Sequence, residues 1–490
     1  MSLTQSRPSA VSAALAQDRL GVPSVVFFVV SAAAPLMVVA GSVPTAYTVT
    51  GVIGVPLAFL LLGAIFALFA VGYVTMARHV VNAGAFYAYA AQGLGRTSGV
   101  ATAWVALLAY NALQLGLYGI IGLAAEPLLI DWFGSSPAWW VIALATWALT
   151  GVLGVLRVDV NGRVLSVLLV AEIAVVLVFD IANLFNAGPS GVSFEGFSPS
   201  ALIVPGVGAA LATVVAGFAG IESSVVFAEE SKDRNRTVPI ATYAGIAIIA
   251  ILYAFSAWAQ TVPTGVDGIV KASTEQGTML FFNQAATHMG SAVATVGSVL
   301  FVTSSIACMI AFHNTTARYI FALGRENVLP SLFGRTSART SAPVAGSLLQ
   351  TALGLIVIVI YAVLGLDPLT KLFFTFGAFG GLGLLTLLTV TSIAVIAFFA
   401  RRPGGETAWR TKIAPALAAL ALCTIIGLTL VNFDTVLGVA PDEPIRWVLP
   451  GIFVVAIIFG VIWARVLKAT KPEVYANIGL GARAVTGATK

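Results

Sequence analysis

From Leu20 to Ala77 the chain contains no Asp, Glu, Lys, Arg or His. A continuous apolar stretch of this length is enough for two membrane-spanning helices of about 20 residues each. The rest of the chain is similar, because 59% of its 490 residues are hydrophobic and 9% are charged. Such a composition cannot give a soluble domain a polar surface, so we predict a polytopic membrane protein. The first apolar segment is too long for a signal peptide, and we expect it to be retained.

Hydropathy divides the chain into twelve predicted spans, and the predicted fold class is an all-α membrane protein. The spans cover residues 24–47, 52–76, 98–125, 137–156, 164–186, 203–228, 238–261, 288–320, 345–365, 370–399, 413–433 and 447–467. They leave a tail of residues 1–23 at the N-terminus and a tail of residues 468–490 at the C-terminus.

The Lys and Arg residues predict the orientation, because loops rich in these residues stay in the cytoplasm. With both tails in the cytoplasm, all but three of the 25 basic residues fall on the inner side, the exceptions being Lys271, Lys371 and Arg446. The net charge of +5 therefore reflects topology and not nucleic acid binding. Membrane lipid is a sufficient partner for the basic loops, and no obligatory protein partner is evident. We expect a multi-pass protein of the plasma (inner) membrane.

The sequence lacks the motifs of most catalytic sites. Cys308 and Cys423 both fall within predicted spans, and the three histidines are scattered, so neither a disulfide framework nor a metal cluster is expected. No nucleotide-binding loop, zinc-protease motif or serine-hydrolase motif occurs. We therefore predict neither an enzyme nor an ATP-driven pump, and no cofactor other than a coupling H⁺ or Na⁺. A channel is disfavoured because the polar residues cluster at one depth and do not line a continuous pore.

Two predicted spans contain helix-breaking residues near their middle. Span 1 reads SAAAPLMVVAGSVP, and span 6 reads GFAGIESS at residues 217–224, with Glu222 as its only charge. A charge at mid-membrane costs roughly 2.5–3.5 kcal/mol on insertion scales, so this carboxyl indicates function. The alternatives are that the glycines only permit close helix contact and that Glu222 is a structural acid.

The two broken spans are five spans apart, so they enter the membrane from opposite sides. This offset predicts an inverted repeat, with residues 24–186 as the first half, residues 203–399 as the second, and residues 413–467 as two added spans. The broken ends would expose amide N–H groups and carbonyl groups, which together suit a zwitterion.

The segment GFAGIESSVVFAEESKDRNRTVPIAT, residues 217–242, resembles the sixth-span signature of the amino acid–polyamine–organocation transporters. Three more segments are similar to motifs of that family: NAGAFYAYAAQGLG at 82–95, RVDVNGRV at 157–164 and ARYIFALGRENVLP at 317–330. The resemblance covers roughly residues 22–399. It implies a five-plus-five inverted repeat like that of the bacterial leucine transporter, and transport of amino acids, amines or similar organocations.

The resemblance also implies a binding site at the two breaks. The implied residues are Ala33, Ala34, Pro35, Leu36 and Met37 in span 1 and Ala216, Gly217, Phe218, Ala219 and Gly220 in span 6, where Phe218 would line or cap the site. Span 1 departs from the family by reading AAAPLM in place of a GxG element. Ala216 and Cys308 stand where arginine-exchanging relatives carry aromatic residues, so we expect a different substrate.

A polar stripe on span 3 is a further candidate. Tyr110, Gln114 and Tyr118 are spaced i, i+4 and i+8, and Asn111 is adjacent. The stripe would either line the pocket, through Tyr110, Asn111 and Gln114, or form hydrogen bonds to neighbouring helices.

Two sets of residues are candidates for ion coupling. Glu172 lies nine residues past Arg163, about 13 Å along a helix and near the midplane, where burial favours the protonated carboxyl. The resemblance aligns it with a position where some proton-coupled members carry a lysine. Thr303 and Ser304 resemble a Thr-Ser pair that supplies sodium ligands in the leucine transporter. Glu172 could instead be structural, and the hydroxyls could bond to their own helix.

Together these features predict a secondary carrier for an amino acid or related amine, which moves its substrate by alternating access with H⁺ or Na⁺ coupling. Glu222 could also relay a proton. The alternatives are a polyamine or ethanolamine-like organocation transporter and an amino acid exchanger.

Overall fold

The computed structural model describes residues 11–12, 20–156 and 158–481, without the side chains of residues 11–12 and 158–165. Each of the twelve predicted spans contains helix, so the predicted all-α polytopic fold is confirmed. The spans are numbered here by position. In chain order they comprise Val22–Ala33 with Pro35–Met37, Val38–Ser42 and Val43–Thr50, then Val55–Ala77, Arg96–Phe133, Trp139–Gly154, Val158–Phe185, Val207–Ala216 with Ser223–Val226, Arg234–Thr264, Ser291–Arg325, Val344–Val363, Pro368–Phe374 with Thr375–Arg401, Trp409–Ile413 with Ala414–Val431, and Ile445–Thr470.

Short helices connect the spans, one more follows span 12, and two short strands pair with each other. The short helices are Phe86–Leu94, Glu195–Phe197, Pro199–Leu202, Ala228–Glu230, Ile269–Gln276, Gly277–Met279, Leu280–Met289, Ser331–Gly334, Phe433–Leu437 and Pro472–Asn477. Strand Val11–Ser12 pairs antiparallel with Thr336–Ser337.

Ten helices of the described chain are long and apolar enough to cross a membrane. The two spans outside this group, spans 4 and 6, contain the shorter apolar helices Trp139–Gly154 and Val207–Ala216. Span 6 is short because its helix stops at Ala216 and resumes at Ser223. The break therefore divides a segment that would otherwise cross as one helix.

The packing separates inner spans from outer ones. Span 7 packs along span 2, and span 3 packs against spans 8, 10 and 12. Outward-facing apolar side chains such as Val363 (78% exposed) and Leu420 (67% exposed) belong to spans 9 and 11. An exposed apolar surface of this kind is expected where a protein meets lipid.

One end of the bundle is formed by residues 78–95, 228–236 and 325–343, and we call it the basic end. Buried ion pairs there join two of the sequence motifs. Arg318 of span 8 pairs with Glu230, and Arg325 pairs with Glu229 through an N–O distance of 2.7 Å. Both acids lie in the segment that follows span 6. These pairs fix the end of span 6 to the end of span 8. Removing one partner of a buried ion pair lowers the free energy of unfolding by about 3–5 kcal/mol.

A carboxyl at the same end holds the C-terminal segment. Glu326 is 2% exposed, and its oxygens accept hydrogen bonds from the backbone N–H groups of Gly479 and Gly481. The Asn82 amide and the Tyr87 hydroxyl donate to the same carboxyl. Burial raises the pKa of Glu326 above its ordinary value, although these four donors oppose the shift.

Candidate functional site

Span 1 breaks at a single residue. Ala34 adopts a left-handed conformation with φ 47° and ψ 73°, between the helices Val22–Ala33 and Pro35–Met37. This conformation costs an L-residue roughly 1–2 kcal/mol, and Pro35 cannot donate a backbone hydrogen bond. The break leaves carbonyl groups that other spans satisfy. Tyr253 of span 7 donates to the Ala33 carbonyl at 2.8 Å, and the Cys308 thiol of span 8 donates to the Ala32 carbonyl at 3.2 Å.

Span 6 breaks over residues 217–222. Gly220 has φ +106°, a conformation that favours glycine, and the Glu222 carboxyl folds back to accept its N–H at 3.0 Å. The Glu222 carbonyl accepts a hydrogen bond from the Tyr73 hydroxyl at 2.8 Å. Glu222 therefore stabilises the open turn from within span 6.

The glycines of this turn bring the two breaks into contact. A methyl group on Gly220 would overlap the Cβ of Ala32 in span 1, and one on Gly217 would lie 3.2 Å from Val38 Cγ1. Close helix approach was the alternative explanation for these glycines. Both explanations hold here. Gly220 has the conformation that breaks span 6, and it also lies against Ala32 at the break in span 1.

A cavity of about 60 Å³ lies beside the two breaks. A single water needs roughly 10–15 Å³ on this scale, so the cavity can hold a small solute. Its walls come from spans 1, 3, 6, 8 and 10. The lining residues are Ala32, Ala33, Met37, Val38, Ser42, Leu113, Gly116, Leu117, Ala216, Ala219, Cys308, Phe312, Phe373 and Gly377. None of these residues carries a charge, so any charged group of a solute would meet backbone dipoles.

Five of the predicted site residues line this cavity: Ala33, Met37, Ala216, Ala219 and Cys308. Ala34, Pro35, Leu36, Gly217 and Gly220 shape the breaks without lining it. The predicted cap Phe218 lies elsewhere, since its ring stacks on Phe66 of span 2 with the ring centroids 4.9 Å apart. Phe218 therefore packs behind the break in this conformation.

The polar stripe of span 3 also lies outside the cavity wall. Asn111 donates to the Leu107 carbonyl of its own helix at 2.7 Å, and the Gln114 amide lies 3.5 Å from the Tyr118 hydroxyl. Tyr110 approaches the Glu222 carboxyl, but its hydroxyl makes no direct hydrogen bond in the described chain. Span 3 instead presents its apolar Leu113, Gly116 and Leu117 to the cavity.

Glu172 lies next to the break in span 1. It is 1% exposed, accepts a hydrogen bond from the Ser304 hydroxyl at 2.8 Å, and interacts with the backbone N–H of Leu36. The carboxyl thus bridges span 8 and the first turn after Ala34. A change in its protonation would act directly on the broken segment of span 1.

The two hydroxyls proposed as sodium ligands point to different partners. Ser304 donates to Glu172, whereas Thr303 donates to the Leu300 carbonyl of its own helix at 3.0 Å. No group of three or more His, Cys, Asp or Glu that could hold a metal occurs in the described part of the chain.

The sequence prediction missed the contribution of span 10. Phe373 and Gly377 line the cavity, and the span starts with the π-helical segment Pro368–Phe374. The glycine-rich sequence GAFGGLG at 377–383 was the available signal. Phe312 of span 8 and Ser42 of span 1 also line the cavity without having been predicted.

Comparison with known proteins agrees with this architecture. The family model described as amino acid permease matches residues 20–462. The low-affinity putrescine importer PlaP of Escherichia coli K12 is 26% identical over 328 residues, which cover 65% of this chain and 67% of that protein. The aspartate-proton symporter of Bacillus subtilis is 24% identical over 307 residues, covering 60% of this chain and 58% of the relative.

A third relative, the chloroplastic cationic amino acid transporter 7 of Arabidopsis thaliana, is 28% identical over 190 residues, covering 38% of this chain and 31% of the relative. The family match extends over nearly all of the twelve spans. The chain therefore belongs to the amino acid permease family of the amino acid–polyamine–organocation superfamily, and it is an integral membrane transporter and not an enzyme.

Proposed function

We propose that the protein is a cation-coupled carrier that imports an amino acid or a related amine by alternating access. The main support is that the breaks of spans 1 and 6 touch each other and border one cavity. Broken helices supply both N–H and carbonyl groups without introducing a charged side chain. These groups suit the carboxylate and the ammonium of a single zwitterion.

The cavity walls favour a small, apolar side chain. Leu113, Leu117 and Phe312 face the cavity, and none of its lining residues is acidic or basic. A second ammonium, as in a diamine, or a second carboxylate would have no charged partner among these residues, and an unpaired buried charge is costly. The relatives are named as a putrescine importer and an aspartate-proton symporter, so polyamine, ethanolamine-like amine and exchange activities remain the alternatives to be measured.

Proton coupling through Glu172 is the coupling mechanism that we propose. Its carboxyl contacts Ser304 and the Leu36 N–H at the break in span 1, so binding a proton there would alter the contacts that hold the break. The name of the Bacillus subtilis relative includes a proton. A sodium site at Thr303 and Ser304 is the alternative, and it would require the Thr303 hydroxyl to leave the Leu300 carbonyl.

The distribution of basic residues supports a location in the plasma (inner) membrane with both termini in the cytoplasm. The basic end of the bundle would then face the cytoplasm and its anionic lipids.

Uptake into sodium-free proteoliposomes tests this proposal. A panel of labelled amino acids, putrescine and ethanolamine is supplied under an inward pH gradient, with equal pH as the control. We expect saturable, gradient-driven accumulation of a compound with one ammonium group and a small apolar side chain. Accumulation that needs Na⁺ and ignores the pH gradient would overturn proton coupling, and uptake of putrescine alone would overturn the substrate class.

Two variants assign the coupling group. Glu172→Gln should remove the effect of the pH gradient while substrate exchange continues, because Gln keeps an acceptor for Ser304 but cannot release a proton. Under the sodium alternative, Thr303→Ala should lose a stimulation by Na⁺ that the unmodified protein shows at fixed pH.

A further inference from the structure

A second buried carboxyl lies on span 5, beyond Glu172. Asp180 is 0% exposed and belongs to a group of polar side chains between span 5, span 7 and the helix Leu280–Met289, which we call the outer polar cluster. The cluster consists of Asp180, Asn183, Ser256, Gln260 and Gln284. All five side chains are buried. With the N-terminus in the cytoplasm, this cluster lies in the extracellular half of the bundle, because spans 5 and 7 both run outward.

The hydrogen bonds of the cluster fix the orientation of its amides. Gln260 donates its NH₂ group to the Val39 carbonyl of span 1 at 3.0 Å. Asn183 donates its NH₂ group to the Gln284 side-chain oxygen at 2.9 Å, and Gln284 donates to the Gln260 carbonyl at 3.0 Å. Rotating Gln260 or Asn183 by 180° would place two acceptor oxygens against each other.

This orientation leaves the cluster with more acceptors than donors. Asp180 Oδ1, Asn183 Oδ1 and Gln260 Oε1 are buried and have no hydrogen-bond partner within the described structure. A buried acceptor without a donor costs about 1–3 kcal/mol, and a buried carboxylate costs more. Three unpaired acceptors therefore call for protons or water-borne donors at this position.

Among the described residues, Asp180 has no positive partner to balance an ionised carboxylate. Its described contact is the Ser256 hydroxyl, and no salt bridge between described residues reaches it. The elements packed on span 5 are spans 1, 7 and 8 and the helix Leu280–Met289. Their titratable groups in this region are Tyr47, Tyr253, Cys308 and His288, and span 5 itself adds Glu172. Of these groups, His288, one turn beyond Gln284, is the one that forms a cation on binding a proton, and burial lowers its pKa below the ordinary value.

The cluster continues toward Glu172. Asp180 follows Glu172 by eight residues, or about 12 Å along the helix. On span 7, Tyr253 lies beside Glu172, and Ser256 and Gln260 follow it on the same helix face. Polar groups thus follow the contact on the span 7 side from the midplane toward the outer end, whereas residues 173–179 of span 5 are apolar. Gln260 also connects this seam to span 1 through Val39.

We propose that Asp180 is a second proton-binding residue, which takes up a proton from the extracellular side through the outer polar cluster and supplies it to Glu172. The inference rests on the proposed proton coupling and on the proposed orientation. The proton forms an O–H bond with the Asp180 carboxylate, and that bond breaks when the proton passes to the Glu172 carboxylate. The proton transfer changes no other covalent bond.

The test measures initial uptake of the substrate found by the panel as external pH is varied at fixed internal pH in sodium-free proteoliposomes. Uptake by the unmodified protein should rise as external pH falls. Asp180→Asn should flatten this dependence and, at an imposed gradient of one pH unit, lower the ratio of gradient-driven uptake to exchange by about tenfold. Thr274→Ala, whose hydroxyl bonds to Val270 of its own exposed helix, is the control and should match the unmodified protein.

Ser256→Ala is a second variant that retains Asp180. The Ser256 hydroxyl donates to the carboxyl, and a donor stabilises the ionised form more than the neutral form. Its removal should move the midpoint of the external pH profile upward by about one unit. A structural role alone would change the yield or the rate without moving this midpoint.

The outcomes separate this inference from the proposed function. If the unmodified protein ignores the pH gradient, proton coupling fails and this inference fails with it. If Glu172→Gln loses the gradient dependence while Asp180→Asn keeps the unmodified pH profile, only the role of Asp180 is wrong. If Asp180→Asn loses a stimulation by Na⁺ that the unmodified protein shows, the cluster binds sodium, and the proton assignment is overturned.

Discussion

Replacing Gly220 with alanine should damage the protein far more than a typical glycine substitution in a membrane helix. Gly220 has φ +106°, and holding an alanine in a sparsely populated region costs about 1–3 kcal/mol. The added methyl would also overlap the Cβ of Ala32 and lie 3.2–3.3 Å from the backbone of Ala32. Overpacking of this kind typically costs about 1–3 kcal/mol. Ala32 has no flexible side chain that could move aside, so the overpacking is not relieved. The two costs together lower the free energy of unfolding by about 2–6 kcal/mol.

The assay is thermal unfolding of the purified protein in detergent, together with uptake into proteoliposomes. Gly381→Ala is the matched control, since nothing lies within 4 Å of its added methyl and the residue lies within the helix Thr375–Arg401. The control should be neutral or more stable by up to about 1 kcal/mol. The double variant Ala32→Gly/Gly220→Ala should recover the overpacking part of the loss and retain the conformational part.

We would not expect an unchanged melting temperature and normal uptake for Gly220→Ala if the added methyl meets Ala32. Such a result would mean that the break in span 6 differs from the one described or that the two breaks do not touch. A loss as large in Gly381→Ala would show that the assay reports any added methyl group and not the contact between spans 1 and 6.

Three other substitutions test separate parts of the account. Ala216→Trp should fill the cavity and abolish substrate binding while the protein stays folded, and undiminished binding would show that the cavity is not the site. Glu222→Gln should slow turnover more than it lowers stability, since an amide can still accept the Gly220 N–H. Ser224→Ala, in the short helix Ser223–Val226 that follows Glu222, should retain more of the turnover, and equal losses would contradict a specific role. Glu326→Gln should make residues 472–481 accessible to limited proteolysis, because the amide nitrogen would face N–H groups that themselves donate. Unchanged protection of this segment would show that the Glu326 carboxyl does not hold it.

Hydropathy was sufficient to locate the spans because lipid demands a long apolar segment at each crossing. It was less informative about where the helices end. Span 3 was predicted over 98–125 and extends over Arg96–Phe133, and span 8 was predicted over 288–320 and covers Ser291–Arg325. A helix that continues beyond the lipid no longer needs apolar residues, so hydropathy gives no signal there.

The breaks could be predicted from the sequence because Pro and Gly mark them directly. The side chains that line the cavity could not be predicted, because an apolar cavity wall and a lipid-facing surface have the same composition. Span 3 shows this, because its polar Asn111 and Gln114 bond within their own helix while Leu113 and Leu117 face the cavity. Helix rotation depends on contacts with distant spans, which local periodicity does not encode.

We propose that the cavity between the broken spans holds the substrate, and Cys308 provides a native probe of this cavity. Cys308 lines the cavity, whereas Cys423 is exposed on span 11, so Cys423→Ser leaves one cysteine at the site. The measurement is the rate at which methyl methanethiosulfonate modifies Cys308 in proteoliposomes with and without saturating substrate from the uptake panel. We expect modification to block uptake, and we expect bound substrate to slow the modification severalfold. Equal modification rates with and without substrate, or full uptake after complete modification, would contradict this proposal.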